Sequence, residues 1–224
     1  MNYKALAIAF MAIAFSSCIR ISFKTPPVSG DSTQNQQSVR VNSKYLISCD
    51  GIGEVKLYDT YQDLVNRYGA NALTVHENNV SGNYSVIWEG QATEMTIVWK
   101  EKQEPFKNIS YLKINSDFSS YQTRTGLRLG ANRDDMQKAN GDLSVTFKNF
   151  NDENNPGEIT SFNHGSIEQS DNCIGGVIDL TAKRNIDVKE LAAFNKEKTI
   201  STAHRLMDRM DITLTEISVG KSVN

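Results

Sequence analysis

A surplus of charge is the first thing this chain lacks. Its 24 lysines and arginines against 26 aspartates and glutamates leave a formal net charge of −2, and the basic residues form no cluster. Nucleic acid is held by clustered cations, so no nucleic-acid partner is expected. Long hydrophobic runs are missing as well. The longest, Ala5–Phe15, holds eleven residues. As an α-helix it would cover roughly 17 Å, well short of the roughly 30 Å bilayer core, and it cannot span a membrane unaided.

Histidine and cysteine are scarce, at three each. No cysteine lies in a C-x-x-C or metal-ligand spacing. His76-Glu77 opens an H-E-x-x-H pattern, but Val80 stands where the second histidine belongs, which excludes a two-histidine zinc face on a helix. Gly220-Lys221-Ser222 ends like a phosphate-binding loop, yet Thr215 replaces its first glycine. No G-x-S-x-G elbow occurs. The acidic loop Asn151–Glu158, NDENNPGE, is rich in oxygen ligands but not in EF-hand order, and reads as a solvated turn. His76, His164 and His204 lie far apart in sequence and read as surface or strand-edge residues. His164, in FNHGS, is the first candidate should the fold assemble a triad around it. No catalytic residue, metal ligand or cofactor is assigned, and the chain is read as a non-enzyme.

What is present begins with a leader. Lys4 supplies a positive start, Ala5–Phe15 an apolar stretch of signal-peptide size, and Ser16-Ser17-Cys18 follows. This resembles the lipobox of bacterial lipoproteins, in which the signal is cut before a cysteine that carries the lipid. Phe15 stands where that family usually has Leu. The resemblance implies a signal peptide over 1–17 and a lipidated N-terminus at Cys18. The alternative is ordinary cleavage after Ser16, which leaves Cys18 a plain thiol. Residues 18–43, with a Pro-Pro pair among Ser, Gln, Asn and Thr, read as a flexible tether. Two or more acyl chains hold a protein on a membrane stably where one does not. Like the lipoproteins it resembles, a chain with no early Asp after the cysteine is expected on the periplasmic face of the outer membrane.

With the leader removed, Cys49 and Cys173 remain. In an oxidising compartment they can bridge, and a bridge closing so long a loop contributes roughly 4 kcal/mol in the chain-entropy model. Two buried free thiols are the alternative.

A repeat organises the rest. Aligning Gly69 with Gly141, an offset of 72 residues, matches Leu57 to Leu129, Thr60 to Asn132, Asp63 to Asp135 and Leu64 to Met136. Thr60 and Asn132 are N-caps, the aspartates three residues later complete capping boxes, and the glycines end the helices. Helices this short must pack on something. The β-rich runs ALTVHENN, NYSVIWEG, EMTIVWKE and ISYLKIN follow the first, and LSVTFKNF, GEITSFNHG and GGVIDLTAK the second. Trp88 and Trp99 fall within two of these runs and read as packing residues. The fold class is therefore α+β: two tandem modules, 44–120 and 121–185, each a short helix followed by antiparallel strands. Residues 186–224 add a helix capped by Asp187, a second helix from Ile200 to Met210 with Ile200, Ala203, Met207 and Met210 on one face, and a last strand, Ile212–Val219.

The lipobox-like leader together with GLRLGANRDDMQKANG, and its weaker copy ending in TYQDLVNRYG, resembles the modules of small outer-membrane assembly lipoproteins (the SmpA/OmlA family) and of β-lactamase inhibitory proteins. It is also similar to bacterial lipoproteins carrying two such modules in tandem. The resemblance implies helices laid on antiparallel sheet, a membrane-anchored protein and an envelope protein as partner. An envelope hydrolase acting on glycan or peptide through dispersed carboxylates, and a small-ligand carrier, are the alternatives.

Overall fold

Leu46–Ser48 (β1), Gly51–Ile52 (β2) and Val55–Lys56 (β3) form a small antiparallel meander that buries Ile47, Ile52 and Val55 completely. They belong to a computed structural model that describes residues 41–80, 82–151, 155–183 and 186–221, all within one unit. The leader, Cys18 and the tether up to residue 40 lie outside the described residues.

Helix α1 (Tyr61–Tyr68) begins at a capping box. The Thr60 hydroxyl accepts from the Asp63 N–H at 3.1 Å, and the Asp63 carboxylate accepts from the Thr60 N–H at 3.0 Å. Two of the four N–H groups left free at a helix start are thereby satisfied. The Thr60 hydroxyl also donates to that carboxylate, and these bonds hold the Asp63 pKa below its ordinary value. Leu64 buries fully, and the Tyr61 ring meets Trp99 and Phe106 at 6.2 and 6.0 Å. Gly69, at φ 86°, ends the helix. Four antiparallel strands follow: β4 (Leu73–His76), β5 (Tyr84–Ile87), β6 (Met95–Trp99) and β7 (Ile109–Ile114).

The pattern then recurs. β8 (Gln122–Thr123) pairs in parallel with β1 and meets Arg128 through a short antiparallel bridge. α2 (Arg133–Ala139) starts at a second capping box, in which the Asn132 side chain accepts from the Asp135 N–H at 3.0 Å. Met136 and Ala139 are buried. Gly141 ends this helix at φ 72°, and a Cβ there would lie 2.5 Å from the Ser166 Oγ, so no other residue fits without displacement. Next come β9 (Thr146–Lys148), β10 (Ile159–Ser161), α3 (Ser166–Ser170) and β11 (Ile174–Ala182). α4 (Val188–Phe194), β12 (Thr199–Ser201) and β13 (Met210–Val219) complete the chain. The Asp187 side chain caps α4, accepting from the Lys189 and Glu190 N–H groups.

Among the described residues the largest sheet has the order β11-β13-β7-β6-β5-β4, antiparallel throughout. β10-β9-β12 form a second sheet, joined to β11 by the Glu158–Val177 bridge and the Ile178 N–H to Gly157 C=O bond of 2.9 Å. The helices and the meander share one hydrophobic core with one face of the large sheet, in which Ile97, Leu112, Ile114, Ile217 and Val219 are buried. A bulge on β13 turns both Thr215 and Glu216 outward, so that Leu214, Ile212 and Met210 return to the buried side. With its short helices and largely antiparallel sheets, the chain is an α+β protein.

Three expectations are corrected. Ile200–Met210 is not a helix: Ile200 lies in β12 beside Phe147, and only Arg205–Arg209 winds, as a 3₁₀ turn. Ile200, Met207 and Met210 are buried as the periodicity required, but Ala203 is exposed. Trp88 lies outside the strands, since β5 ends at Ile87 and Trp88 has φ 56°. The last strand begins at Met210, not Ile212, and stands between β11 and β7 instead of being appended to two finished modules.

Candidate functional site

Side chains alternate across a strand, so a sheet with one face in the core offers its other face to whatever comes. Register lines up the residues of that outer face. Tyr84, Val98 and Tyr111 form one row across β5, β6 and β7. Val86, Thr96, Lys113, Ser218 and Gly175 form the next, from β5 to β11. Tyr84, Thr96, Val98, Tyr111 and Lys113 are half-buried, and none of them belongs to the hydrophobic core of the described residues. His76 on β4 stacks on Tyr84, with centroids 5.1 Å apart and planes 12° off parallel. A depression of about 290 Å³ runs between Tyr84, Val98, Tyr111 and Lys113.

Toward β13 and β11 the same face becomes charged. Lys113 pairs with Glu216 at 2.8 Å, and Glu158 pairs with Lys148 at 2.6 Å and with Lys221. The Lys221 ammonium also stands 6.0 Å from the centroid of the Tyr111 ring, within cation–π reach. Burial by itself pushes the Glu158 carboxyl up, but the two lysines outweigh it and leave its pKa below the ordinary value. Glu158 is therefore an ionised, doubly paired carboxylate. A general acid needs the opposite shift. A second depression, of about 240 Å³, lies among Glu158, Val177, Glu216 and Lys221. An aromatic and aliphatic centre flanked by paired charges suits contact with a protein surface, where tyrosines anchor and a polar rim sets register.

The residues singled out in the sequence are dispersed. Cys49 and Cys173 are joined in a disulfide, Cα to Cα 5.5 Å, that ties the β1–β2 turn to the start of β11. Cys18 lies outside the described residues. His164 is 93% exposed at φ 60° and pairs with Glu168 at 3.1 Å. His204 caps the 3₁₀ turn, its Nδ1 accepting from the Leu206 N–H at 3.2 Å. Only His76 touches the open face. Of the Asn151–Glu158 loop, residues 152–154 lie outside the described residues. Among the described residues no group of three or more His, Cys, Asp or Glu could hold a metal ion, and no helix is long and apolar enough to cross a membrane.

Sequence reasoning missed Tyr84, Tyr111, Lys113 and Glu216 as a group. The signal was available in the alternation of NYSVIW, EMTIVW and ISYLKI, whose second set of positions carries tyrosine, threonine and lysine. Which strands would stand side by side was not. No family model matches this chain, and no curated protein or solved structure matches it.

Proposed function

We propose that the chain is an exported lipoprotein, held on a membrane by lipid on Cys18, whose tandem modules present the open sheet face to another envelope protein. The observation that carries this reading is the half-buried row Tyr84, Val98 and Tyr111, outside the core of the described residues, beside the Lys113–Glu216 pair. The tandem reading draws support from the two capping boxes 72 residues apart, each preceded by a hairpin that buries the matching residues Val55 and Leu127. It draws more from strand order. Counting the bridge to the second sheet, the four strands after α1 run β4-β5-β6-β7, and beyond β13 the three strands assigned to α2 continue as β11-β10-β9. The halves are thus mirrored about the β7–β13 pair, with β13 supplied by residues beyond 185. The expected location is the periplasmic side of the outer membrane.

A hydrolase draws less support, because Glu158 and Glu216, the carboxylates beside the charged depression, are both held by lysines. A carrier draws less too, because the depressions on this face are open to solvent and a carrier needs an enclosed pocket.

Photo-crosslinking in cells tests the binding reading. A crosslinking residue at Tyr111 or Val98 should trap one envelope protein, the same residue at Asn66 on the exposed side of α1 should not, and Lys113→Glu should abolish the adduct. Equal adducts from all three positions, or none from the sheet face, would overturn it.

A further inference from the structure

Away from the open sheet face, the meander, the end of α1 and the β5–β6 turn enclose a cleft of about 280 Å³. Tyr68, Trp88 and Tyr121 form its walls, and Lys44, Glu54 and Gln91 stand at its rim. The rings are locked in place by backbone partners. Trp88 has φ 56°, a conformation that bulky residues avoid, and is held there by its N–H to the Ala72 C=O (2.9 Å) and by the Gln91 N–H to its own C=O (3.0 Å). Tyr68 meets Trp88 edge-on at 5.0 Å and donates its hydroxyl to the Glu54 C=O at 3.3 Å. Tyr121 donates to the Thr93 C=O, also at 3.3 Å. Its ring fits only because residue 53 is glycine, where a Cβ would lie 2.8 Å from it. Among the described residues the Glu54 carboxylate makes no ion pair and the Gln91 amide no hydrogen bond.

We infer that this cleft binds one neutral saccharide ring, its C–H face stacked against Trp88 and its hydroxyls bonded to Glu54 and Gln91. A pyranose has an apolar face and a rim of groups that both donate and accept. An aromatic wall beside a carboxylate and an amide matches both properties. An aromatic box with a carboxylate would also suit a quaternary ammonium ion, but the Lys44 ammonium lines the same cleft and repels a second cation there. Among the described residues Glu54 is the one carboxylate lining the cleft, where glycosidic cleavage takes a pair, so the site is inferred to bind without cutting.

The test uses the full chain and its two tryptophans, of which Trp99 is 5% exposed. Titration with N-acetylglucosamine and with methyl glucoside, followed by intrinsic fluorescence, should give a saturable change with at least one sugar, with a dissociation constant on the order of 1 mM. Trp99→Phe should keep that response. Glu54→Gln, at an exposed position, should leave the melting temperature unchanged and weaken binding about tenfold, the loss expected for a bond to a charged group. Trp88→Ala can fail by unfolding, so Glu54→Gln is the deciding variant. No saturable change with either sugar, unchanged affinity in Glu54→Gln, or saturation by tetramethylammonium in place of the sugars would each overturn the inference.

Discussion

Lys113 on β7 and Glu216 on β13 form a 2.8 Å ion pair across two neighbouring strands of the large sheet. They are 103 residues apart in the chain. Beneath them, Ile114 faces Ile217 in register, and both are fully buried. The seam thus has an apolar underside and a charged top. Because the pair is partly exposed, its worth is modest. Urea unfolding of Lys113→Ala, Glu216→Ala and the double variant should return a coupling of about 0.5–1 kcal/mol. A coupling near zero would mean that the hydrogen-bond ladder and the isoleucines hold the seam alone.

Leu64 and Met136 occupy matching places on α1 and α2, at 0% and 1% exposure. Truncating either to alanine opens a cavity in the shared core and should cost about 2–5 kcal/mol in chemical denaturation. Thr60→Ala and Asn132→Ala, which remove one cap each, should cost about 1 kcal/mol. If the halves are duplicates, the two series should run parallel.

Glu158 makes stability depend on acid. Its pKa in the folded chain lies below the ordinary 4.5, so its contribution is complete above that value and is lost as pH falls through the lowered one. Glu158→Gln should therefore be less stable than the wild type at pH 7, by on the order of 1 kcal/mol for a partly exposed group. The gap should close as the medium is acidified below the ordinary carboxylate range. Thermal melts across that range check the sign, and a gap that widened in acid would contradict it.

The Cys49–Cys173 bridge spans 124 residues. Opening it frees the unfolded chain, at a cost of roughly 4 kcal/mol in the chain-entropy model. The double Cys49→Ala, Cys173→Ala variant should melt well below the oxidised wild type, and reductant should lower the wild type to match. Reductant should not affect the variant.

Membrane attachment is tested at Cys18. Cys18→Ala should release an exported protein into the soluble fraction, while Cys49→Ala or Cys173→Ala should leave the chain membrane-bound. Mass spectrometry of the mature N-terminus after labelling with a palmitate analogue checks the modification. An unmodified Cys18 or a retained Met1 would refute the lipobox reading.

The sequence by itself determined the helices that begin at Thr60, Asn132 and Asp187, because a cap is a bond between a side chain and a backbone group two or three residues away. It also marked the β-rich runs that became β4–β7, β9–β11 and β13, though not β1–β3, β8 or β12. It misread Ile200–Met210 as a helix. Spacings of three and four mark which residues are buried, and a strand followed by a 3₁₀ turn satisfied nearly the same positions as a helix. Only the tertiary structure decided that Met210–Val219 enters the middle of the sheet, that Cys49 meets Cys173, and that Tyr84, Tyr111, Lys113 and Glu216 share one open face. Each of these joins residues far apart in the chain. Such contacts depend on which strand edges and apolar faces remain to be covered once the local elements have formed.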